Sequence, residues 1–301
     1  MAHGGSRRVV VIALLANLGI AVAKLAAALI TGSGSMLAEA IHSFADSGNQ
    51  GLLLVGDGRA ARKPDECYPM GYGREAYFWA LLVAVLLFTL GGLFSGYEGL
   101  HKLRHPEPVS HAGWAVGVLV VALALESLSL KAAWAECRRA RGRQPLFAWA
   151  RSTGDVNLLV VVYEDLAALL GLVVALVAVA LTWLTGNPLF DAVGSCLLAL
   201  LLLYVALFLG SQVRRLITGH GVGPEVRAVL EQAWRAQGFR VLRLAAVWTG
   251  PHQLTVAVKV LPDDLAQSGA ALIERLNAAE ASVRERLPEV TMQFSEPDLR
   301  D

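Results

Sequence analysis

The sequence predicts an α-helical membrane bundle of six transmembrane helices, followed by a small α+β domain. The composition is 55% hydrophobic and 17% charged, with a mean hydropathy of +0.52, which is more apolar than a soluble protein of this size. From Arg214 onward, charged and apolar residues alternate and no further long apolar run occurs. We therefore expect a membrane domain over residues 1–217 and a second domain over residues 218–301.

Six apolar runs are each long enough to cross a hydrocarbon core of ~30 Å, which takes about 20 helical residues. They are Val9 to Ile30, Met36 to Val55, Tyr77 to Leu100, Gly113 to Leu130, Leu158 to Leu184 and Leu189 to Leu209. Glycine-rich and proline-containing segments separate several of them, as turns require. The chain is therefore expected to be embedded in a lipid bilayer as a multi-pass protein.

Basic residues fall in alternate loops, which sets the predicted orientation. They precede the first run, follow the second and the sixth, and are densest between the fourth and fifth runs. That last group is Arg138, Arg139, Arg141, Arg143 and Arg151. We expect these segments, both termini and the C-terminal domain to face the cytoplasm, in a bacterial-type inner (plasma) membrane.

The last part of the chain predicts an αββαβ order. The pattern gives a helix starting near Pro224, strands Arg240 to Trp248 and Leu254 to Leu261, a helix Leu265 to Leu287 and a strand Val290 to Phe294. Thr249 to His252 forms a turn between the first two strands. This order is typical of a ferredoxin-like, metallochaperone-like α+β domain.

Several function classes find no support in the residues. The three cysteines Cys67, Cys137 and Cys196 are far apart and form no CxxC pair, which argues against a disulfide framework or a cysteine metal site. The sequence contains no HExxH, GxSxG or Walker motif, so we expect no enzyme. A formal net charge of +1 gives no reason to expect a nucleic-acid partner.

The second apolar run carries a continuous polar stripe. Its polar residues recur every three or four positions and therefore share one helix face. They are Glu39, His42, Ser43, Asp46, Asn49 and Gln50. His42 and Asp46 are one turn apart, so an imidazole and a carboxylate can hold one ion. The alternative is a His–Asp hydrogen bond between helices; inside a membrane, the desolvation penalty favours a functional role.

The fifth run contains two adjacent carboxylates, Glu164 and Asp165. In hydrocarbon they resist joint ionisation unless a cation or protons compensate. Adjacent helical residues point about 100° apart, so one of the two can face a given site directly while the other supports it or carries protons. Glu126, in the fourth run, is a third intramembrane carboxylate whose role the sequence leaves open.

The segment from Ser35 to Asp46, Ser-Met-Leu-Ala-Glu-Ala-Ile-His-Ser-Phe-Ala-Asp, resembles the second-helix signature of the cation diffusion facilitators. Six spans and a C-terminal αββαβ domain are similar to the same family. The resemblance implies a homodimer that exchanges zinc or a similar metal for protons. The adjacent Glu164 and Asp165, with the tyrosine-rich loop around Tyr68 and Tyr72, most resemble the branch that includes the mitochondrial zinc exporter of animals.

By this resemblance the metal ligands are His42, Asp46 and Asp165. The family's fourth position is occupied by Val161, which cannot bind a metal, so Glu164, Asn49 or a water must complete the set. Glu164, Asn49 and Glu39 are therefore additional candidates for metal binding or proton coupling.

The expected function is efflux of Zn²⁺ by metal/proton antiport with alternating access, with no catalytic cofactor. Mn²⁺, Fe²⁺ and Co²⁺ are alternative substrates, because carboxylates with one histidine also suit these metals. A metal-gated channel or a membrane metal sensor without coupled transport is the other alternative. The family's histidine positions in the C-terminal domain hold Leu242 and Val258, so this domain is expected to dimerise without binding zinc.

Overall fold

The computed structural model describes residues 3–31, 34–105 and 112–300. The helices of the first part are α1 (His3–Thr31), α2 (Gly34–Ala60), α3 (Glu75–Leu86), a π-helical segment (Leu87–Leu93), α4 (Phe94–Arg104), α5 (Ala112–Arg141), α6 (Leu146–Ser152), α7 (Val156–Thr185) and α8 (Leu189–Ile217). The second part contains α9 (Pro224–Ala236), β1 (Phe239–Gly250), β2 (Gln253–Pro262), α10 (Gly269–Arg286) and β3 (Val290–Pro297).

Within the described ranges, four helical segments are long and apolar enough to cross a membrane. They are Glu75–Arg104, Val116–Arg141, Val156–Thr185 and Leu189–Ile217. These segments confirm a helical transmembrane domain. The first two predicted spans fall on α1 and α2, which are not among these four segments, so the total of six spans stays a prediction. Helices α1 and α2 pack along each other, and α1 also contacts α5 and α7.

The third span is continuous but changes its winding midway. The π-helical segment Leu87–Leu93 contains Gly91 and Gly92 and packs against α8. A Cβ atom on Gly92 would lie 2.5 Å from Cδ2 of Leu203 on α8, so a larger residue there would have to displace the Leu203 side chain. These two glycines therefore allow the third span and α8 to pack closely.

The predicted basic loop between the fourth and fifth spans is largely helical. Helix α5 continues to Arg141, eleven residues beyond the predicted end at Leu130, which places Arg138, Arg139 and Arg141 in its last turn. Cations at that end interact favourably with the helix dipole. The short helix α6 follows, and its Trp149 is buried in the membrane-domain core.

The αββαβ order of the C-terminal domain matches the prediction. Strands β1 and β2 pair antiparallel and β2 and β3 pair parallel, giving the order β1-β2-β3. The core of the domain is formed by buried residues of both helices and the sheet, including Leu230, Trp234, Phe239, Leu254 and Val283.

Helix α10 begins at Gly269 rather than at the predicted Leu265. The Ser268 side chain accepts a hydrogen bond from the Ala271 amide at 3.2 Å, which is the N-cap interaction that starts a helix. Leu265 precedes this cap and is exposed. The apolar residue was thus a misleading signal for the helix start, and the serine was the correct one.

Candidate metal site

A cavity of about 130 Å³ lies between the helices of the membrane domain. Its wall is mostly apolar, with a group of polar residues contributed by α1, α2, α5 and α7. These are Asn17, Ser43, Asp46, Asn49, Glu126 and Glu164. Three carboxylates from three helices, Asp46, Glu126 and Glu164, thus line one cavity inside the membrane domain. Intramembrane carboxylates face such cavities when they serve an ion pathway.

Helix α7 presents Glu164 to this cavity because helical residues three, four and seven positions apart share one face. Ala167, Ala168 and Gly171 follow at three-, four- and seven-residue spacing and line the same wall. The helix is fixed at its start by Asp155, whose Oδ1 accepts a hydrogen bond of 3.1 Å from the Leu158 amide.

The Glu164 carboxylate is held by two amide side chains of α2. Asn49 Nδ2 donates to Glu164 Oε1 at 3.0 Å, and Gln50 Nε2 donates to Oε2 at 3.1 Å. Asn17 Nδ2 of α1 donates to Gln50 Oε1 at 3.3 Å, which sets the orientation of the Gln50 amide. All four side chains are buried. This group, the amide cradle, fixes Glu164 in one orientation at the cavity wall.

Asp165 points away from that cavity wall. Ser129 of α5 donates to Asp165 Oδ2 at 2.8 Å, and Asp165 is only 1% exposed. It is not among the residues that line the cavity. The two adjacent carboxylates therefore have different surroundings, as the angle of about 100° between neighbouring helical residues requires.

The predicted site residues are thus distributed unevenly. Asp46, Asn49 and Glu164 line the cavity, whereas Asp165 contacts Ser129. Val161 is fully buried and does not line the cavity. The backbone of His42 and of Glu39 lies in α2, but their side chains fall outside the described part of the structure. Among the described side chains, no three His, Cys, Asp or Glu groups form a ready-made metal-binding cluster.

The sequence analysis did not identify Ser129, and it did not predict that Asn17 orients the Gln50 amide. Ser129 lies three positions after Glu126, so a helical reading of α5 places both residues on one face. Asn17 was recognisable as an amide within an apolar run, but its partner Gln50 lies on another helix. That pairing depends on tertiary packing and leaves no local signal.

Comparison with known proteins identifies the family. The model of the cation efflux transmembrane domain matches residues 10–217. The mitochondrial proton-coupled zinc antiporter of Homo sapiens is 35% identical over 223 residues, which cover 73% of this chain and 39% of that protein. A probable cation efflux system protein of Mycobacterium tuberculosis is 29% identical over 277 residues, covering 87% of this chain and 75% of its own length. Mitochondrial metal transporter 1 of Saccharomyces cerevisiae is 33% identical over 99 residues, or 33% of this chain and 19% of that protein.

The chain belongs to the cation efflux family, the cation diffusion facilitators, and resembles its mitochondrial zinc exporter-like branch. It spans about 39% of the length of the human relative. The relatives are named as antiporters, transporters and efflux proteins, in line with the family and with the expectation that the chain is not an enzyme.

The predicted bacterial-type plasma membrane is contradicted by these comparisons. The human and yeast relatives carry mitochondrial names, so the sequence-based location is wrong by this comparison. The positive-inside rule orients a protein within a membrane but does not identify which membrane it occupies. The multi-pass arrangement itself is supported by the four apolar helices.

Proposed function

We propose that the chain exports Zn²⁺ across a membrane in exchange for protons, by alternating access and as a homodimer. The observation that carries this proposal is the cavity in which Asp46, Glu126 and Glu164 meet inside the membrane domain. The human relative is named a proton-coupled zinc antiporter. A cavity lined by carboxylates suits such exchange, because the same oxygen atoms accept either a metal ion or protons.

The geometry favours a revised set of ligands. His42 and Asp46 remain on α2, one turn apart, and Glu164 replaces Asp165 as the carboxylate from α7. Glu164 lines the cavity with Asp46, whereas Asp165 is bound to Ser129. Asn49 lines the same wall and offers a carbonyl oxygen if its amide group turns from Glu164. Asp165, held by Ser129, then supports the orientation of α7 and of its neighbouring carboxylate.

The steps of the exchange follow from the competition between the metal ion and protons for the same carboxylate oxygen atoms. A metal ion that enters from one side binds ionised Asp46 and Glu164, which compensates two charges that hydrocarbon disfavours. When the cavity opens to the opposite side, protons bind the carboxylates and the metal ion leaves. The protonated cavity then returns without a metal ion. Glu126, on the same wall, is positioned to take part in the proton transfer.

The metal preference follows from the donor atoms. An imidazole with two carboxylates suits zinc, and the same oxygen-rich set accepts manganese, iron or cobalt. We therefore propose zinc as the preferred substrate with relaxed selectivity. A metal-gated channel is the second candidate function, because a cavity with these ligands could also conduct ions without proton exchange.

Transport in proteoliposomes distinguishes these functions. The purified chain is expected to move Zn²⁺ against its concentration gradient when a proton gradient is imposed, and Mn²⁺, Fe²⁺ and Co²⁺ more slowly. Asp46→Asn should abolish this uptake. Asp191→Asn is the matched control, because Asp191 does not line the cavity. Its Oδ2 instead pairs with Lys102 Nζ at 3.1 Å. Uptake that follows the metal gradient alone would favour the channel.

A further inference from the structure

The C-terminal domain contacts the membrane domain just before α7. His252 lies in the turn between β1 and β2, and among the described residues it alone has a positive φ without being glycine, at 55°. This left-handed conformation is uncommon for a residue with a side chain. In this conformation, His252 Nε2 lies 3.2 Å from Asp155 Oδ2 of the membrane domain.

Asp155 is also the N-cap of the ion-binding helix. Its Oδ1 accepts the hydrogen bond from the Leu158 amide at 3.1 Å, while Oδ2 faces His252. The Asp155 side chain is 7% exposed and that of His252 is 21% exposed. One carboxylate thus joins the first turn of α7, the helix that carries Glu164, to the C-terminal domain.

The surrounding contacts leave little room for the two parts to slide. A Cβ atom on Gly154 would lie 2.5 Å from Cδ2 of Trp248. Trp248 Nε1 donates to the Ser152 carbonyl oxygen at 3.2 Å, and Tyr77 Oη donates to the Gly154 carbonyl oxygen at 3.3 Å. The segment before α7 is therefore held closely on both sides.

The charge of His252 decides how strong this connection is. Its contact with the Asp155 carboxylate raises the pKa of His252 above its ordinary value, although burial acts in the opposite direction. Glu289, before β3, and Asp57, on α2, face it as further anions and also raise this pKa. Arg74 is a cation near Tyr77, and Tyr77 has Asp155 as a second charged neighbour.

The sign of the pH effect follows from the raised pKa. The charged pair of His252 with Asp155 is fully present below about pH 6.5, the ordinary value for histidine. It is lost as the pH rises through the raised pKa of His252. The connection is therefore strong in acid and weak in alkali.

We propose that His252 is a positioning residue for transport, whose imidazolium holds Asp155 and so makes the C-terminal domain and the first turn of α7 move as one unit. The inference rests on the proposed transport function. It goes beyond that function because it gives the C-terminal domain a direct, proton-dependent connection to the ion-binding helix.

The test is a double-mutant cycle on the full chain. Asp155→Asn keeps an N-cap side chain on α7, because asparagine caps as well as aspartate, and removes only the charge. His252→Gln removes the cation, and His252→Lys keeps one at all the pH values used. His220→Gln is the matched control, since His220 is an exposed histidine that contacts Arg215 instead.

The first measurement is amide hydrogen exchange over residues 156–160 in detergent, at about pH 6 and about pH 9, on either side of the histidine titration. After correction for intrinsic exchange, the unchanged protein and His220→Gln should show about threefold to tenfold more protection at the lower pH, as expected for coupled neighbours. His252→Gln and Asp155→Asn should each lose this difference, and the double variant should lose no more. His252→Lys should be protected at both pH values.

The second measurement is the pH profile of Zn²⁺ uptake in proteoliposomes. His252→Gln should lose the part of the pH profile that follows the titration of His252. His252→Lys should restore the rate of uptake at higher pH. If the double variant shows the product of the effects of His252→Gln and Asp155→Asn, the two residues act independently, and the inference is overturned. So would an uptake profile in His252→Gln that matches the unchanged protein. If the unchanged protein transports no metal, the proposed function fails, while hydrogen exchange still decides whether His252 holds α7.

Discussion

Glu164→Gln is expected to disrupt the amide cradle as well as the proposed metal site. Each carboxylate oxygen of Glu164 accepts an N–H bond, from Asn49 at 3.0 Å and from Gln50 at 3.1 Å. A glutamine side chain presents one NH₂ group, which would face the amide nitrogen of one of these neighbours. The Gln50 amide is oriented by Asn17 and so cannot turn without losing another bond. A lost bond to a charged group corresponds to about 1.5–3 kcal/mol.

The double variant Glu164→Gln with Gln50→Glu separates stability from metal binding. The new carboxylate at position 50 accepts from Asn17 and from the new amide at position 164, whose oxygen accepts from Asn49. Every donor again meets an acceptor, and the total charge is unchanged. Gln50 does not line the cavity, so the carboxylate has left the proposed site while the hydrogen bonds are restored.

Thermal unfolding and zinc titration calorimetry in detergent test this pair of variants. Glu164→Gln should lose about 1.5–3 kcal/mol of unfolding free energy, and the double variant should recover most of it. Both should bind Zn²⁺ at least about 100-fold more weakly, the upper end of the loss found for residues that orient ligands. Zinc affinity within about threefold of the unchanged protein in either variant would refute Glu164 as a ligand, since such a difference is under 1 kcal/mol.

Three further predictions concern the contacts around this site and the domain core. Ser129→Ala should lower the unfolding free energy by about 1.5–3 kcal/mol while changing calorimetric zinc affinity less than about tenfold; a larger loss of affinity would return Asp165 to the ligand set. Gly154→Ala should displace the Trp248 ring and destabilise the protein by about 1–3 kcal/mol, seen as faster proteolysis between the domains; unchanged proteolysis would contradict the close packing. Trp234→Ala should lower the unfolding free energy of the C-terminal domain by about 3–5 kcal/mol, measured by denaturant titration, and a loss below 1 kcal/mol would contradict its place in the core.

The broad architecture was predictable because its signals are local. Apolar runs define spanning helices by length alone, and the predicted start of the sixth run at Leu189 coincides with the start of α8. In the C-terminal domain, the predicted turn Thr249 to His252 lies between two apolar runs, and the strands β1 and β2 pair on either side of Pro251 and His252. Each of these features depends on residues that are close together in the sequence.

The choice between Glu164 and Asp165 could not be made in this way. Helical geometry predicts that two neighbouring residues face different directions, but it does not say which of them faces the other helices of a site. The resemblance favoured Asp165 by alignment. The packing of α2 and α5 around α7 instead gives Glu164 the two amides and Asp165 the serine. Tertiary contacts between three helices thus give the two carboxylates their different surroundings, and the ligand set itself stays a proposal.

The contact between His252 and Asp155 was missed for a related reason. His252 stood alone in a turn, and a lone histidine carries no pattern that points to a partner 97 positions earlier in the chain. Asp155 had a local signal, because it precedes an apolar helix and lies three residues before Leu158, as N-cap residues do. Reading Asp155 as a cap would have located the start of α7 at Val156, two residues before the predicted Leu158, although not its second partner.

These contacts together give α7 three points of attachment along its length. Its first turn is tied to the C-terminal domain through Asp155, Glu164 is tied to α2 through the amide cradle, and Asp165 is tied to α5 through Ser129. A helix held this way transmits a displacement of one end to the carboxylates in its middle, because an α-helix is rigid over a few turns. If α2 and α7 move apart during the proposed exchange, the amide cradle must open, and Glu164 must then find a metal ion or a proton to replace its two N–H donors. Binding and conformational change would therefore be coupled at this one side chain.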